Sequence, residues 1–466
     1  MKILEFFSKY QKFIIYIILC LAIIAFFDKI LAVGLIFISF LCVITFLIIN
    51  RNKEQAKILG LLFLIALLIH LAAVLFIHYA NFQPFSGGGG DYSLYQQQAQ
   101  EIAGRVQQGN FSLQGIGVGH YYSVIVGYIY AFTMPEMLIG QMFNAWLVAL
   151  SVVFVYLIVQ EIGGSQKQAF LTGLIIALYP SLLFYGSLLL KDALAVLLCI
   201  IALLLMLKLI QRFFWSKFLL FYIALGCLIH FRFYVGYALL LCFILSWLMF
   251  SNLKIRKRLL CAVLIIFVLG FLPQITVGRQ GYYGRKFLKS YLNTERITFY
   301  REVVYAPVAQ PSPTEPTEPT EPTEPTEPTE PTEPTELAPT GPGSSILVKT
   351  GFENPFTFLK NSAISFSYSL FGPFPWQMKH LRHLFVLPEV IAWYILFFFI
   401  IKGVISSIRR YRVILPLVIF SLITLCVLAL FINNFGIITR IRIPAFISLV
   451  CLVPFGFKRF LKNNNI

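Results

Sequence analysis

The chain has 466 residues, of which 59% are hydrophobic and 12% charged, with a mean hydropathy of +0.81 and a formal net charge of +17. A water-facing globule carries about a quarter of its residues as charges, so soluble enzyme folds are excluded for most of the sequence and a polytopic membrane protein remains. In such a protein Lys and Arg gather on the cytoplasmic side and against anionic membrane lipid, which removes nucleic acid as a partner.

From the N-terminus, Phe13 to Phe27 is an apolar run with no small-residue cleavage site before the next one, so it reads as a retained span. A helix crosses the ~30 Å hydrocarbon core in roughly 20 residues. On that length the sequence predicts spans near 13–27, 30–49, 58–78, 137–160, 169–186, 191–210, 218–231, 234–250, 259–277, 384–404, 413–433 and 443–457. The apolar block 169–210 would be about 63 Å long as one helix, so it must fold back, with Pro180 and the pair Lys191-Asp192 marking the turn. The expected fold class is an all-α polytopic membrane protein of about 12 transmembrane helices, with interfacial helices in the first large external loop. Basic residues in the short connections (Arg51, Lys53, Lys57, Lys254, Arg256, Lys257, Arg258, Arg409, Arg410, Arg412) put both termini in the cytoplasm. Tyr121 to Thr133 must then lie at the interface instead of crossing, and Tyr121, Tyr122, Tyr128 and Tyr130 suit the headgroup level.

This divides the chain into a two-span hairpin over 1–57, a core over 58–277 with an external loop at 79–136, a long external loop over 278–383, and a three-span bundle over 384–466. The long loop contains eight consecutive Pro-Thr-Glu triplets, Pro313 to Glu336. Proline at every third position forbids helix and sheet ladders and favours polyproline II, about 75 Å at full stretch. The tract is a solvated spacer or, since Thr beside Pro is a frequent O-glycan setting, a sugar-decorated stalk. Deleting 313–336 is expected to leave turnover of the reconstituted protein largely intact, because an extended solvated tract has no packed contacts to lose; loss of folding on deletion would show that it docks.

All eight cysteines lie in apolar stretches, far from any Cys-x-x-Cys or Cys/His metal spacing, and read as small membrane hydrophobes. Acids are scarce, and the repeat holds eight of the 20. Asp91 follows four glycines, Gly87 to Gly90, that leave its surroundings open to close backbone approach. After it Tyr92, Tyr95, Ala99, Ile102 and Val106 recur at helical spacing, the pattern of a helix lying along the membrane. Asp91 can cap that helix, act as a general base, or do both. Lys191, Asp192 and Arg232 sit at external fold-backs in nearly uncharged surroundings, where a charge is either functional or snorkels to the interface. Arg440 and Arg442, two residues apart before Pro444, suit a phosphate if the segment is extended, or a lipid headgroup. Gly372-Pro373-Phe374-Pro375-Trp376-Gln377 reads as a rigid aromatic anchor. The six histidines (His70, His78, His120, His230, His380, His383) form no tight metal pair, and no phosphate loop or dinucleotide fingerprint is present.

The set Gly90-Asp91-Tyr92-Ser93-Leu94-Tyr95, Asn144, Tyr179-Pro180-Ser181, Leu190-Lys191-Asp192-Ala193 and Arg440-Ile441-Arg442-Ile443-Pro444 resembles the polytopic glycosyltransferases of the GT-C superfamily. In particular it is similar to the bacterial family 39-like enzymes related to protein mannosyltransferases. The resemblance implies transfer of a sugar from a polyprenyl-phosphate donor to a lipid, glycan or protein acceptor outside the cytoplasm, in a bacterial inner membrane. Asp91 would be the general base, and Tyr92, Tyr95, Lys191, Asp192, Arg232, Arg440 and Arg442 the substrate-binding residues. No acid adjoins Asp91, which leaves a divalent metal open. An O-antigen polymerase or ligase is the neighbouring alternative, with Arg279, Arg285, Lys286, Arg296, Arg301, His380 and His383 in the long loop. A transporter or flippase would call for charges at mid-membrane in paired halves, whereas these sit at span ends.

Overall fold

Long apolar runs with few helix breakers form helices because a buried or lipid-facing backbone must satisfy its hydrogen bonds internally. The computed structural model describes residues 22–51, 53–82, 91–114, 116, 121–273, 282–285, 294–299, 348, 351–352, 354–377 and 386–457. Most of the first expected span, the four glycines, the Pro-Thr-Glu tract, Arg279, Lys286, Arg301, His120, His380 and His383 lie outside the described residues. In chain order the helices are α1 Lys29–Ile49, α2 Ala56–Tyr79, α3 Asp91–Gln107, α4 Tyr121–Phe132, α5 Met137–Glu161, α6 Gln166–Ala177, α7 Pro180–Ser187, α8 Asp192–Gln211 and α9 Trp215–Phe250. Then come α10 Ile255–Gly270, α11 Thr294–Phe299, α12 Pro355–Phe371, α13 Leu387–Ser407, α14 Tyr411–Phe431, α15 Phe435–Ile441, α16 Ile443–Val450 and α17 Val453–Gly456. Among the described residues the structure is all-helical apart from an isolated bridge between Pro273 and Tyr282.

Among the described residues six helical stretches are long and apolar enough to cross a membrane, or eight if each of two bent pairs is one span. The bent pairs are α6 with α7 (57°) and α15 with the run Ile443–Gly456 (48°). Proline causes both breaks: Pro180 and Pro444 stand at helix starts, where a missing N–H is harmless, and neither can continue the preceding helix. Two double-length runs turn back on themselves. In α9 the backbone leaves the helical region at Arg232 (φ −145°, ψ 74°), and Phe221 packs against Phe243 with ring centroids 4.6 Å apart, so the two halves run antiparallel. The run Leu387–Phe431 reverses at the 3₁₀ turn Ile408–Arg410. Its first half stacks Trp393 on Phe446 at 3.6 Å, and in its second half Ser421 donates to the Ala445 carbonyl.

At one end of the bundle α3 packs on α4 through an apolar seam that buries Tyr92, Tyr95, Ala99 and Ile102, so the helical spacing of these residues serves a partner helix. Gly127 makes the approach possible, since a Cβ there would lie 2.6 Å from Ile102 and 3.1 Å from the Ala99 carbonyl. The 12 residues of α4 are about 18 Å long, too short to cross. Two of its four tyrosines depart from the headgroup expectation: Tyr122 and Tyr130 are fully buried, each spending its hydroxyl on a protein partner, Asn144 and Gln96 respectively.

Candidate active site

Four charged residues from four different elements meet at the α3–α4 end of the bundle. Asp192, in the first turn of α8, receives Arg232 on one carboxylate oxygen and Arg440 on the other, both at 2.5 Å. Arg440 also reaches Asp91, the first residue of α3, with Nη1 to Oδ2 at 2.9 Å. Arg232 gives its other terminal nitrogen to the Tyr234 hydroxyl at 2.5 Å. Lys191, immediately before Asp192, is buried within electrostatic reach of all four. The signs follow the helix dipoles: both aspartates lie in first turns, where negative charge is favoured, and Arg440 lies in a last turn, where positive charge is favoured.

The two carboxylates differ in exposure. Asp192 is 8% exposed and each of its oxygens accepts from a guanidinium group, so it fixes the arginines and is the less available carboxylate for taking a proton. Asp91 is 54% exposed and engages Arg440 through one oxygen only. Its side chain makes no capping bond to the α3 backbone among the described residues. Arg440 Nη2 and Arg232 Nε are both buried without a hydrogen-bond partner among the described residues. Tyr95 faces the same charges; burial first, and the Asp91 carboxylate next, push its phenol above the ordinary value, so it can donate a hydrogen bond and cannot serve as a base.

Asn144, fully buried in the first half of α5, positions this centre. Its amide nitrogen donates to the carbonyls of Leu188 (2.7 Å) and Leu190 (2.9 Å), and its oxygen accepts from Tyr122 (2.9 Å). It thus holds the non-helical stretch between α7 and α8, which carries Lys191 and leads into Asp192, and ties it to α4. Asn144→Leu would leave two carbonyls and a hydroxyl unpaired in a dry site, at about 1–3 kcal/mol for each such group. The thermal midpoint in detergent should fall and turnover with it; an unchanged midpoint would show that those groups find other donors.

The dolichyl-phosphate-mannose-protein mannosyltransferase family model matches residues 125–276. The match supports a membrane glycosyltransferase of the GT-C kind. No curated protein matches the chain. Within this GT-C-like segment fall Asn144, Lys191, Asp192 and Arg232, while Asp91 precedes it and Arg440 follows it. The fold brings both to the matched segment's charged residues.

Arg442 does not join this GT-C-like centre. The sequence expectation of two guanidiniums side by side assumed an extended segment, but Arg440 lies in the helix α15, and residues two apart on a helix point to different faces. Arg442 instead enters a second, fully buried cluster. It approaches Glu389 at 3.6 Å, donates to the carbonyls of Ser369 and Gly372, and lies over the Phe446 ring. Glu389 in turn accepts from the Tyr179 hydroxyl (2.9 Å) and from the Ser181 hydroxyl (2.5 Å) and backbone N–H (2.8 Å). This joint ties the break before α7 to α13 and to the break after α15, and so sets where α15 presents Arg440. Arg442→Met strands a buried carboxylate, which costs about 3–5 kcal/mol. It should lower thermal stability while the folded fraction keeps near-parental donor affinity; a selective loss of donor affinity at parental stability would place Arg442 at the donor.

Tyr92 packs in the α3–α4 seam. His230 pairs with Tyr283, and His78 with Gln141. Among the described residues no three His, Cys, Asp or Glu side chains come together as a metal site. Asp91 and Asp192 face one another across the Arg440 guanidinium, so the gap between the carboxylates already holds a cation.

Proposed function

We propose that the Asp91–Asp192–Arg232–Arg440 centre transfers a sugar from a polyprenyl-phosphate donor to an acceptor hydroxyl at the extracytoplasmic face of the membrane, with inversion at the anomeric carbon. The observation that carries this reading is the pair of unpartnered guanidinium nitrogens, Arg440 Nη2 and Arg232 Nε, buried beside a half-exposed carboxylate. An acceptor-rich anion such as a phosphate satisfies such donors, and a carboxylate with a free oxygen can take a proton. In the reaction the acceptor oxygen bonds to the anomeric carbon as the bond from that carbon to the phosphate oxygen breaks. The acceptor proton passes to Asp91, and the departing phosphate takes the electron pair beside Arg440 and Arg232, with Lys191 adding charge. Donor phosphate competing for Arg440 Nη1 releases Asp91 from its ion pair, which couples arrival of the donor to readiness of the base. Asp192 holds both arginines throughout.

The two runs that fold back, α9 and Leu387–Phe431, each supply two crossings and raise the count among the described residues from eight to ten, which supports a number near the expected twelve. The basic residues in the short connections support a reading with cytoplasmic termini and the charged centre outside. The family's printed name, which couples a lipid-phosphate mannose to a protein acceptor, supports the donor class. The deciding experiment gives reconstituted protein a panel of radiolabelled polyprenyl-phosphate and polyprenyl-diphosphate sugars. Transfer from monophosphate sugars is expected; transfer only from diphosphate-linked glycans would point to a polymerase or ligase.

A further inference from the structure

At the opposite end of α8 from Asp192, about 30 Å away for its 20 residues, the surface forms an open cavity of about 680 Å³. That separation matches the ~30 Å thickness of a bilayer core. The turn between α13 and α14 brings Arg409, Arg410 and Arg412 to its wall, and Ile162, Ile210 and Val413 give it apolar sides. None of the three arginines has a carboxylate partner among the described residues. Arg410 donates to the carbonyls of Ile162 (3.2 Å) and Gly163 (2.8 Å), lying over Gly163 so closely that a Cβ would overlap its guanidinium; Gly163 also holds a φ of +93°. Arg412 donates to the Asn252 amide oxygen at 2.6 Å, and no hydrogen bond or ion pair holds Arg409 among the described residues. The one acid in the wall, Glu161, is engaged by Gln211 at 2.8 Å and approached by Lys208 at 3.9 Å.

Three like charges in one concavity, two of them held by neutral acceptors, repel one another and leave guanidinium edges open. We propose that this cavity binds a phosphate-bearing anion at the membrane surface opposite the charged centre, as the headgroup of an anionic lipid or as free phosphate. The chemistry is that of a basic pocket between helix ends: the guanidiniums take the phosphate oxygens, and the apolar wall meets the glycerol and upper acyl chain of a lipid. Arg410 is part of the wall's hydrogen bonding, so the ligand is read through Arg409 and Arg412.

The test is native mass spectrometry of the purified full chain, titrated separately with phosphatidylglycerol, phosphatidylcholine and inorganic phosphate, alongside Arg409→Gln, Arg412→Gln and the double variant. Phosphatidylglycerol should be retained over phosphatidylcholine, and its binding should weaken roughly fivefold for each guanidinium removed. Retention that inorganic phosphate does not displace identifies a lipid headgroup, and binding of inorganic phosphate that is lost in the same variants identifies the soluble anion. Equal retention of both lipids with no phosphate bound overturns the proposal, as does parental binding in the double variant. Arg409→Gln removes a side chain with no protein hydrogen bond, so its folding is secure. Turnover is not the readout, so the outcome is independent of the proposed transfer reaction.

Discussion

Asp91→Asn should lower turnover by roughly two to four orders of magnitude, the usual worth of a positioned base, while expression and stability in detergent stay near those of the parent. Asn is close in shape to Asp, and Asp91 makes no capping bond to α3 among the described residues for the change to lose. What it loses is the ability to take a proton and the charge on the Arg440 ion pair, which is half exposed on the Asp91 side and so contributes modestly to stability. Donor binding should hold or tighten, because Arg440 no longer shares Nη1 with a carboxylate. Steady-state kinetics with a binding measurement on the same preparation separates the two effects. Near-parental turnover would reduce Asp91 to a partner of Arg440. Asp192 would be a poor replacement as base, since it is buried and a proton there would weaken both of its ion pairs.

Arg440→Gln is expected to damage both donor use and rate. Its guanidinium bridges two carboxylates and keeps one nitrogen unpartnered, so its removal takes away a donor aimed at the leaving phosphate, worth roughly a hundred- to a thousandfold in rate. It also leaves Asp192 with Arg232 alone. Arg440→Lys restores the charge without the two-edged fork and should recover only part of the loss. Measured turnover and donor affinity decide the role: if Arg440→Gln and Arg442→Met both lower stability alone and leave donor affinity at the parental value, neither arginine touches the phosphate.

The contrast between these two arginines shows where sequence reading reached and where it stopped. Lys191, Asp192 and Arg232 stood out because charge is costly near apolar spans, Asp91 because four glycines precede a helical pattern, and Arg440 as one of two closely spaced arginines, all visible in a linear sequence. Their convergence was not visible, since Asp91 and Arg440 are 349 positions apart. Arg442 was grouped with Arg440 on an assumed extended backbone, and the short helix α15 sent the two side chains to different clusters. Asn144 was noticed as a motif residue and Glu389 is one of the few acids outside the repeat, yet the sequence does not show either as a joint. The same rule marks both, a polar group set into an apolar helix, but their roles depend on carbonyls and hydroxyls that other segments bring.

By itself the sequence determined the solvent: 59% hydrophobic against 12% charged residues commits the chain to lipid, and lipid commits it to helices, because each backbone polar group must then be satisfied within its own segment. It also marked the breaks, since proline at 180 and 444 cannot continue a helix whatever surrounds it. The tertiary structure alone decided which charges neutralise which. An ion pair depends on side chains meeting within about 4 Å, and that is set by how α3, α8, α9 and α15 pack at one end of the bundle, where Asp192 binds two arginines and leaves Asp91 the more open carboxylate.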